Sequence, residues 1–301
     1  MRRTAPGDVR LLTPADVRLL AARHGVRPTK SLGQNFMVDP GTVRRIVRMA
    51  GQLLGDDDAR NPGAPIRAVE VGPGFGSLTL GLLDAGHRVT AVEVDPVLGA
   101  VLPAIAAAKA GDLSKGLTAI VGDALNVSEL PGDPPDVLIA NLPYNVSVPV
   151  ILHFLEVFAT LMAGLVLVQA EVADRLVAAP GGRVYGVPSA KLAWYASARR
   201  AGSVGRAAFW PVPRVDSALV ALERRDPPVT SAPRETVFAV IDAAFSQRRK
   251  MLRSALGAWA GGTARAEALA QAAGIDPTLR AERLSVRDFA RIAEADAQVA
   301  K

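Results

Sequence analysis

The chain has 301 residues, half of them hydrophobic, and a formal net charge of +6. A chain of this size can bury a sizeable core, with room for one large domain and a smaller one. The absence of cysteine excludes disulfides, thiolate metal sites and cysteine nucleophiles, and three scattered His residues do not favour a metal centre. No uninterrupted apolar run has the length of a membrane span and the first residues lack an apolar signal core, so we predict a cytoplasmic protein with no membrane partner.

The positive charge is concentrated at the two ends of the chain. Residues 1–30 carry seven Lys or Arg against two Asp, and residues 241–301 carry ten against seven acidic residues. The residues between these segments carry 18 basic and 20 acidic side chains. A solvated arm would explain the first segment, but two basic regions flanking a near-neutral body suit a polyanion such as a nucleic acid.

From residue 39 to residue 169 the sequence alternates helical and strand-like patterns. Asp39 and Pro40 are typical of a helix start, because apolar residues follow them at helical spacing. Short apolar runs then alternate with longer helical stretches; the runs are residues 68–71, 89–94, 119–121, 137–140 and 165–169. This βαβ rhythm predicts an α/β protein with a doubly wound, Rossmann-like parallel sheet.

The pattern changes after residue 182. Residues 193–200 and 217–222 are predicted to form a closing, hairpin-like pair of strands. Pro227 and Pro228 then interrupt the chain, and Ala-rich stretches with helical spacing continue to the end. We therefore predict a basic N-terminal arm at 1–30, a sheet domain at 31–228 and a small all-α domain at 229–301.

The first predicted strand ends in a glycine-rich turn, residues 72–76, ahead of a helix that begins near Ser77. Glycines there let the backbone turn tightly and approach a ligand closely. The spacing is GxGxG and not the GxGxxG that sets a helix N-terminus against a dinucleotide pyrophosphate. The turn alone is a weak indication of a ligand site.

Acidic residues stand at the ends of the next two predicted strands. Glu93 stands at a strand end, 21 residues after Gly72, where a carboxylate can accept hydrogen bonds from both ribose hydroxyls. Asp123 can accept from an adenine amino group, although an Asx turn or a helix cap explains it equally well. These acceptors and the glycine turn describe a nucleoside pocket without a phosphate clamp. S-adenosylmethionine, which has adenine and ribose but no phosphate, fits such a pocket.

The fourth predicted strand ends in Asn141-Leu142-Pro143-Tyr144. Ligands bind at the carboxyl ends of strands in open α/β sheets. The Asn side-chain oxygen, the Pro carbonyl and the Tyr ring suit a planar exocyclic amine such as adenine N6. Taken alone, the tetrapeptide is also typical of an ordinary turn.

In the order of its motifs the sequence resembles the ribosomal RNA adenine N6,N6-dimethyltransferases, over roughly residues 27–293. The motifs are SLGQNF at 31–36, EVGPGFG at 70–76, EVD at 93–95, GDA at 122–124, NLPYN at 141–145, FWPVPRVDS at 209–217, FSQRRKMLR at 245–253 and ERLSV at 282–286. Departures from the family pattern are modest, at Met37, Ala170 and residues 187–190. They concern contacts near the substrate edge.

The resemblance implies an S-adenosylmethionine-dependent methyltransferase domain at 31–228 and a helical RNA-binding domain at 229–301. It implies no metal. In the cofactor site, Asn35 and the backbone around Met37 would close over the ligand, with Glu93 at the ribose and Asp123 at the adenine. Gly72 would face the methionine portion, and Gly74 belongs to the same turn.

In the catalytic site, the resemblance places Asn141 between cofactor and target. Asn141 and the Pro143 carbonyl would accept hydrogen bonds from adenine N6 and favour a pyramidal nitrogen. Tyr144 and Phe209 would stack on a base drawn out of its helix. Without the resemblance, Phe209 is typical of a core aromatic beside a Pro-rich turn.

The C-terminal cations Arg248, Arg249, Lys250 and Arg253 are spaced so that several should share one helix face. A solvated helix face is the simple interpretation. Phosphate contact with folded RNA is the alternative, because RNA recognition depends strongly on shape and backbone charge.

The resemblance further implies a monomer that dimethylates N6 of two adjacent adenines, in a hairpin loop near the 3′ end of 16S ribosomal RNA in the immature small subunit. Two alternatives stay open. One is a large-subunit RNA adenine methyltransferase that gives macrolide resistance, which the QRRK and LSV segments disfavour. The other is a non-catalytic ribosome-assembly factor.

Overall fold

The computed structural model describes residues 5–28, 34–53, 65–143 and 146–299. The chain forms two compact units. The first spans Met1–Ala173 and Arg199–Arg224, and the second spans Asp174–Ala198 and Arg225–Lys301. The domain boundaries predicted from the sequence differ from these units, because the prediction assigned residues 174–198 to the sheet domain.

The first unit contains a seven-stranded sheet in the order β4-β3-β2-β5-β6-β9-β7 and a short antiparallel pair, β1 with β8. Strands β4, β3, β2, β5 and β6 are parallel, and β9 is antiparallel to β6. The α/β, Rossmann-like prediction is confirmed. The strands are β1 Phe36–Met37, β2 Arg67–Val71, β3 Arg88–Glu93, β4 Leu117–Val121, β5 Val137–Asn141, β6 Ala163–Gln169, β7 Ala196–Val204, β8 Phe209–Trp210 and β9 Ser217–Arg224.

Helices cover the sheet because their apolar faces need a partner surface. The predicted helix after Asp39 is α2, which buries Val43, Ile46, Val47 and Ala50. The helices of the first unit are α1 Pro14–Arg23, α2 Pro40–Leu53, α3 Ser77–Asp84, α4 Pro96–Ala110 and α5 Ser147–Val157. Helix α6, Ala170–Leu176, contains one boundary between the units.

One predicted strand is displaced in the structure. Residues 193–195 end a helix, α7 Val187–Tyr195, and the strand β7 begins only at Ala196. The run 193–195 is Ala-Trp-Tyr, and periodicity does not distinguish a short apolar helix end from a strand. The predicted partner strand at 217–222 is present as β9, next to β7 in the sheet.

The N-terminal segment packs against the first unit in the residues that the structure describes. Val9, Leu12 and Val17 are buried in its core. The backbone amides of Gly7 and Val9 donate to Asp84 Oδ1 at 2.8 and 2.9 Å. The interpretation of this basic segment as a solvated arm is therefore wrong for residues 9–21.

One segment, Pro96–Gly116, is long and apolar enough by length and composition to cross a bilayer. It consists of α4 and the following 3-10 turn, and α4 packs on strands β3 and β4. Its Lys109 forms an ion pair with Asp16 of α1, with Nζ and Oδ1 3.0 Å apart. These contacts are those of a helix that covers a sheet.

The second unit is helical, as predicted for the C-terminal part of the chain. Its α7 packs against α8 and α12. This packing brings residues 187–195 together with the C-terminal helices. The helices are α7 Val187–Tyr195, α8 Arg234–Ser246, α9 Leu252–Ala255, α10 Gly257–Ala260, α11 Thr263–Ala272 and α12 Val286–Val299.

Candidate active site

A cavity of about 230 Å³ lies in the first unit, where β2, β3, β4 and β5 end. Parallel strands bring their carboxyl ends to one edge of the sheet, so residues far apart in sequence meet there. The cavity is lined by the glycine turn, Glu93, residues 122–125, residues 141–143 and residues 34–37. The structure thus brings together the described cofactor-site residues that the sequence predicted.

The glycine turn has a backbone that side chains rarely adopt. Gly72, Gly74 and Gly76 have φ of 69°, 58° and 87°. A Cβ on Gly74 would lie 2.8 Å from the Phe36 ring, and one on Gly72 would lie 3.9 Å from the Asn141 carbonyl oxygen. Glycine is needed here for the left-handed conformation and, at Gly74, also for the close approach of the Phe36 ring, whereas the distance at Gly72 is an ordinary contact.

Glu93 is the last residue of β3 and is 5 % exposed. Its Oε2 accepts a hydrogen bond from the Gly74 amide and its Oε1 from the Asp95 amide, each at 3.0 Å. Burial raises the pKa of this carboxyl, while the two amide hydrogen bonds act in the opposite direction. Glu93 therefore holds the glycine turn against β3, and each oxygen keeps a further lone pair for a ligand hydroxyl.

Asp123 follows β4 and lies at the rim of the cavity. Its Oδ1 accepts from the Leu125 amide at 2.9 Å and caps the 3-10 turn Ala124–Asn126. The helix-cap interpretation is correct for this oxygen. The cap leaves Oδ2 as the acceptor that an adenine amino group would need, so the two roles are compatible.

Asn141 ends β5 with its side chain held by the segment of residues 34–37, which lines the cavity. Its Nδ2 donates to the Asn35 carbonyl oxygen at 2.9 Å. A carbonyl can only accept, so the amide nitrogen must face Asn35 and Oδ1 must face away from it. The amide is thus oriented before any substrate arrives.

Pro143 also lines the cavity, and its carbonyl accepts from the Val146 amide at 3.3 Å. A carbonyl has two lone pairs, so this turn leaves one acceptor position. The Leu142 amide donates to the Leu167 carbonyl at 3.0 Å and fixes the motif to β6. Tyr144 lies outside the described residues, so its stacking role stays a prediction.

The segment that carries Asn35 and Met37 is held by a residue that the sequence analysis assigned no role. Ser77, 6 % exposed at the start of α3, donates from Oγ to the Met37 carbonyl at 2.5 Å. At the other end, Gln34 Nε2 donates to Asp95 Oδ2 at 3.3 Å. A hydroxyl directly after a glycine turn was the signal available in the sequence.

A second buried carboxylate, Glu70, lines the cavity without a role predicted from sequence. It is 2 % exposed and accepts a hydrogen bond from Thr79 Oγ1 at 2.6 Å. Burial raises the pKa of Glu70 to about 8, and the nearby Glu93 adds to the rise while Thr79 opposes it. Glu70 is therefore mostly protonated at neutral pH.

Phe209 is 2 % exposed in β8 and belongs to the hydrophobic core of the first unit. It pairs with Met37 of β1 and is not among the residues that line the cavity. Its described surroundings are those of a core aromatic, and its stacking on a substrate base stays a prediction.

The C-terminal cations do not share a helix face, which corrects the sequence prediction. Helix α8 ends at Ser246, residues 247–250 form a turn, and α9 begins only at Leu252. Arg248 is paired with Glu282 at 3.2 Å and donates to the Arg183 carbonyl at 2.5 Å, whereas Arg249 and Lys250 are exposed. Arg253 pairs with Glu267 at 3.4 Å. Contact of these cations with RNA stays a prediction.

The electrostatics of the cavity favour a cationic ligand over a phosphate. Glu93 and Asp123 line it, the third carboxyl group, that of Glu70, is mostly protonated, and no Lys, Arg or His stands among its described lining residues. A phosphate there would lack a cationic side chain to pair with and would face the carboxylates of Glu93 and Asp123. In the described part of the chain, no three His, Asp or Glu side chains are grouped as metal ligands.

Comparison with known proteins gives the family. The family "Ribosomal RNA adenine dimethylase" matches residues 26–298. The chain is 59 % identical over 294 residues to the "Ribosomal RNA small subunit methyltransferase A" of Thermobifida fusca, covering 98 % of this chain and 99 % of that protein.

Solved structures show the same fold. A dimethyladenosine transferase from Plasmodium falciparum superposes with a TM-score of 0.67 at 20 % identity, over 85 % of this chain and 95 % of that one. The 23S rRNA methyltransferase ErmE superposes with a TM-score of 0.61 at 25 % identity, over 88 % of this chain and 100 % of that one. With the family match covering most of its length, the chain belongs to the ribosomal RNA adenine dimethylase family.

Proposed function

We propose that this methyltransferase transfers methyl groups from S-adenosylmethionine to adenine N6 in 16S ribosomal RNA and forms dimethyladenosine. The observation that carries the proposal is the oriented amide of Asn141, which lies at the edge of a nucleoside-sized acidic cavity. Family membership supplies the reaction class, and the geometry supplies the residues that would perform it.

The residues present fit the cofactor. S-adenosylmethionine carries a positive sulfonium and an ammonium group, which suit a cavity lined by carboxyl groups and lacking cations among its described lining residues. Glu93 would hold the ribose, Asp123 the adenine amino group, and the turn at Gly72 and Gly74 the methionine portion. Asn35 and Met37, on the segment held by Ser77, would cover the ligand.

When bound, the cofactor supplies a methyl group that is already activated for displacement. The remaining task of the protein is to align the adenine nitrogen and to tune its lone pair. Adenine N6 is a weak nucleophile, because its lone pair is delocalised into the ring. Acceptance of its hydrogens by Asn141 Oδ1 and the Pro143 carbonyl would favour a pyramidal nitrogen and stabilise the positive charge that develops on it.

A dedicated strong base is not required by this chemistry. The N6 proton becomes acidic only after the new N–C bond begins to form, and water can then accept it. For the second methyl group, N6 has only one hydrogen left, so one of the two acceptors must release its contact. We predict looser contacts in the second round.

The target belongs to the same proposal. We place the two methylated bases at adjacent adenines of a hairpin loop near the 3′ end of 16S ribosomal RNA, in the immature small subunit. We further propose a cytoplasmic monomer. For the small subunit, support comes from the relative at 59 % identity over nearly the whole chain, whose name specifies small-subunit ribosomal RNA.

A second candidate is methylation of the large subunit, favoured by the likeness to the 23S rRNA methyltransferase ErmE. That likeness is 25 % identical, against 59 % for the small-subunit relative. The higher identity favours the small subunit.

The test is mass analysis of nucleosides after incubating the protein and cofactor with immature small subunits or with large-subunit RNA. We expect dimethyladenosine in the small-subunit RNA only. Dimethyladenosine in the large-subunit RNA alone would support the second candidate. No methylated adenine in either RNA, with the cofactor still bound, would indicate a non-catalytic assembly factor.

A further inference from the structure

We infer that the first unit carries its own RNA-binding surface, separate from the C-terminal turn at 247–250. This surface, the arginine face, consists of Arg44, Arg45 and Arg48 of α2, Arg199 and Arg200 of β7, and Arg206. The inference rests on the proposed function for the identity of the RNA. It adds that the phosphate backbone of that RNA lies across the arginine face.

The amphipathic pattern of α2 creates the first half of the arginine face. The helix buries Val43, Ile46, Val47 and Ala50, and it leaves its three arginines exposed to solvent. A helix that buries one apolar stripe must present the intervening positions outward. Three guanidinium groups therefore stand along one exposed side of a rigid element.

The fold brings β7 to the same side. Arg45 Nη2 donates to the Ser203 carbonyl at 2.8 Å, and Arg200 Nη2 contacts Ser203 Oγ at 3.4 Å. Arg45 and Arg200 are thus anchored at one residue, although 155 positions separate them in the chain. The arginines of α2 and β7 form one surface and not two isolated patches.

The charge of this surface is nearly uniform. Residues 36–53 and 196–206 contain the six arginines and a single acidic residue, Asp39. That carboxylate is occupied at the start of α2, where it accepts from the Thr42 amide and hydroxyl at 2.8 and 2.5 Å.

Neighbouring strands add only weak neutralisation. Arg199 pairs with Glu223 and Arg206 with Asp216, each at 3.7 Å, and all four side chains are more than half exposed. Exposed ion pairs of this kind contribute little and exchange readily. Arg44 and Arg48 have no acidic partner among the residues that the structure describes.

The arginine face begins next to the candidate active site. Helix α2 starts three residues after Met37, which lines the cavity. The turn that carries Arg206 is joined to the same segment, because the Val38 amide donates to the Ala208 carbonyl at 2.8 Å. An RNA whose adenine enters the cavity can continue across the arginines.

The chemistry of the face favours RNA over a membrane or a hydrophobic partner. Arginine binds phosphate through a planar fork of donors, and a row of such groups suits a phosphate backbone. A membrane-binding helix would add large exposed apolar side chains. The exposed large hydrophobic residues described in this chain all lie outside 36–53 and 196–206.

The test is the double variant Arg44→Gln/Arg48→Gln, which removes two charges without touching an ion pair or the cavity. Binding to protein-free 16S ribosomal RNA is measured over a salt series, together with steady-state methylation. We expect affinity to fall about three- to tenfold and the slope of log affinity against log salt to decrease by about 1 to 2. The Michaelis constant for RNA should rise, while the turnover number and the cofactor affinity change less than about twofold.

The matched control is Arg88→Gln/Lys115→Gln, which removes the same charge at the opposite end of the parallel strands. Arg88 and Lys115 are 70 % and 81 % exposed, and neither lies near the cavity. Their ion pairs with Asp133 and Asp112 are exposed as well and contribute little. An equal loss of RNA affinity in both double variants would overturn the proposal, because it would reduce the effect to net charge. So would unchanged affinity and salt slope in the α2 variant.

Two further outcomes separate this proposal from others. If the α2 variant binds protein-free RNA normally but loses affinity for whole small subunits, the face contacts a ribosomal protein and the proposal fails. If wild-type protein methylates neither RNA, the proposed function fails, while the difference in RNA binding between the two double variants still decides the arginine face.

Discussion

The cavity of the first unit and the basic turn of the second use polar groups in opposite ways. In the cavity, Glu93 and Asn141 are fixed by hydrogen bonds to backbone atoms at 2.9 to 3.0 Å. In the turn at 247–250, Arg249 and Lys250 are exposed to water. A desolvated and oriented atom is hard to replace, whereas a solvated cation contributes a small and nearly additive amount. A single substitution in the cavity should therefore reduce activity or cofactor affinity strongly. A single substitution in the turn should reduce RNA affinity only slightly.

The largest expected effect is that of Asn141→Ala. Loss of the acceptor oxygen should lower the rate of methyl transfer about 100- to 1,000-fold and leave cofactor affinity within about tenfold. Asn141→Asp should also be impaired, because a carboxylate cannot donate to the Asn35 carbonyl. Single-turnover kinetics and calorimetric cofactor titration measure the two quantities. A wild-type turnover rate in Asn141→Ala would contradict the proposed role of Asn141 in methyl transfer.

Glu70 offers a test of burial through pH. Its pKa is about 8 in the folded protein, against an ordinary value of 4.5 that applies once the chain unfolds. Between these values the folded protein retains a proton that the unfolded chain releases. The free energy of unfolding should therefore fall, by a few kcal/mol, as pH rises from about 4.5 to 8.

The substitution Glu70→Gln, which resembles the protonated carboxyl, should remove that part of the pH dependence. Urea denaturation of both proteins at pH 5 and pH 8 measures it, and the other titrating groups cancel in the difference. If the free energy of unfolding changes equally between pH 5 and pH 8 in the two proteins, Glu70 titrates normally in the folded protein.

Glu93→Gln should weaken cofactor binding about 10- to 100-fold. A glutamine places an NH₂ group against one of two backbone amides that now donate to the carboxylate, so both the glycine turn and the proposed ribose acceptor are disturbed. Calorimetric titration of S-adenosylmethionine measures the loss. The control is Glu129→Gln, an exposed carboxylate of the same unit, which should bind the cofactor normally.

Ser77→Ala should have a smaller effect on the same ligand, about three- to tenfold in affinity. It removes one buried hydrogen bond to the Met37 carbonyl and loosens the segment of residues 34–37 that lines the cavity. Ser114→Ala removes a comparable hydroxyl-to-carbonyl bond on the exposed surface and should leave cofactor affinity unchanged. If both variants bind equally, the contact of Ser77 does not hold the cover.

The smallest effect is expected in the basic turn. Arg249→Ala/Lys250→Ala should weaken RNA binding several-fold and flatten its salt dependence without changing stability. Arg248→Ala should in addition lower the free energy of unfolding, because Arg248 also holds Glu282 and the Arg183 carbonyl. Salt-dependent binding and urea denaturation separate the two roles. Unchanged affinity and salt slope in both variants would exclude this turn from RNA contact.

Much of the candidate cofactor site could be predicted because the rules that create it are local. Runs of apolar residues specify the parallel strands, and parallel strands put Glu93, Asp123 and Asn141 at one edge of the sheet. The glycine turn is equally local, since its positive φ values admit little else.

The misplaced elements share a different cause. The helix predicted through the basic segment ends at Ser246. The strand predicted at 193–200 begins only at Ala196, because short apolar runs and charge spacing fit several conformations equally well. The basic composition of the N-terminal segment favours its interpretation as a solvated arm. A few apolar side chains, Val9, Leu12 and Val17, are nevertheless enough to pack it into the core.

By itself, then, the sequence determined the α/β fold, the order of the strand-end acceptors and the family resemblance, because each depends on periodicity or on motifs of neighbouring residues. Only the tertiary structure decided which atoms face one another. The Asn35 carbonyl that orients Asn141, the hydroxyl of Ser77 on Met37, the raised pKa of Glu70 and the meeting of Arg45 with Arg200 all join residues distant in the chain. Such contacts depend on packing between elements, for which a single sequence carries no local signal.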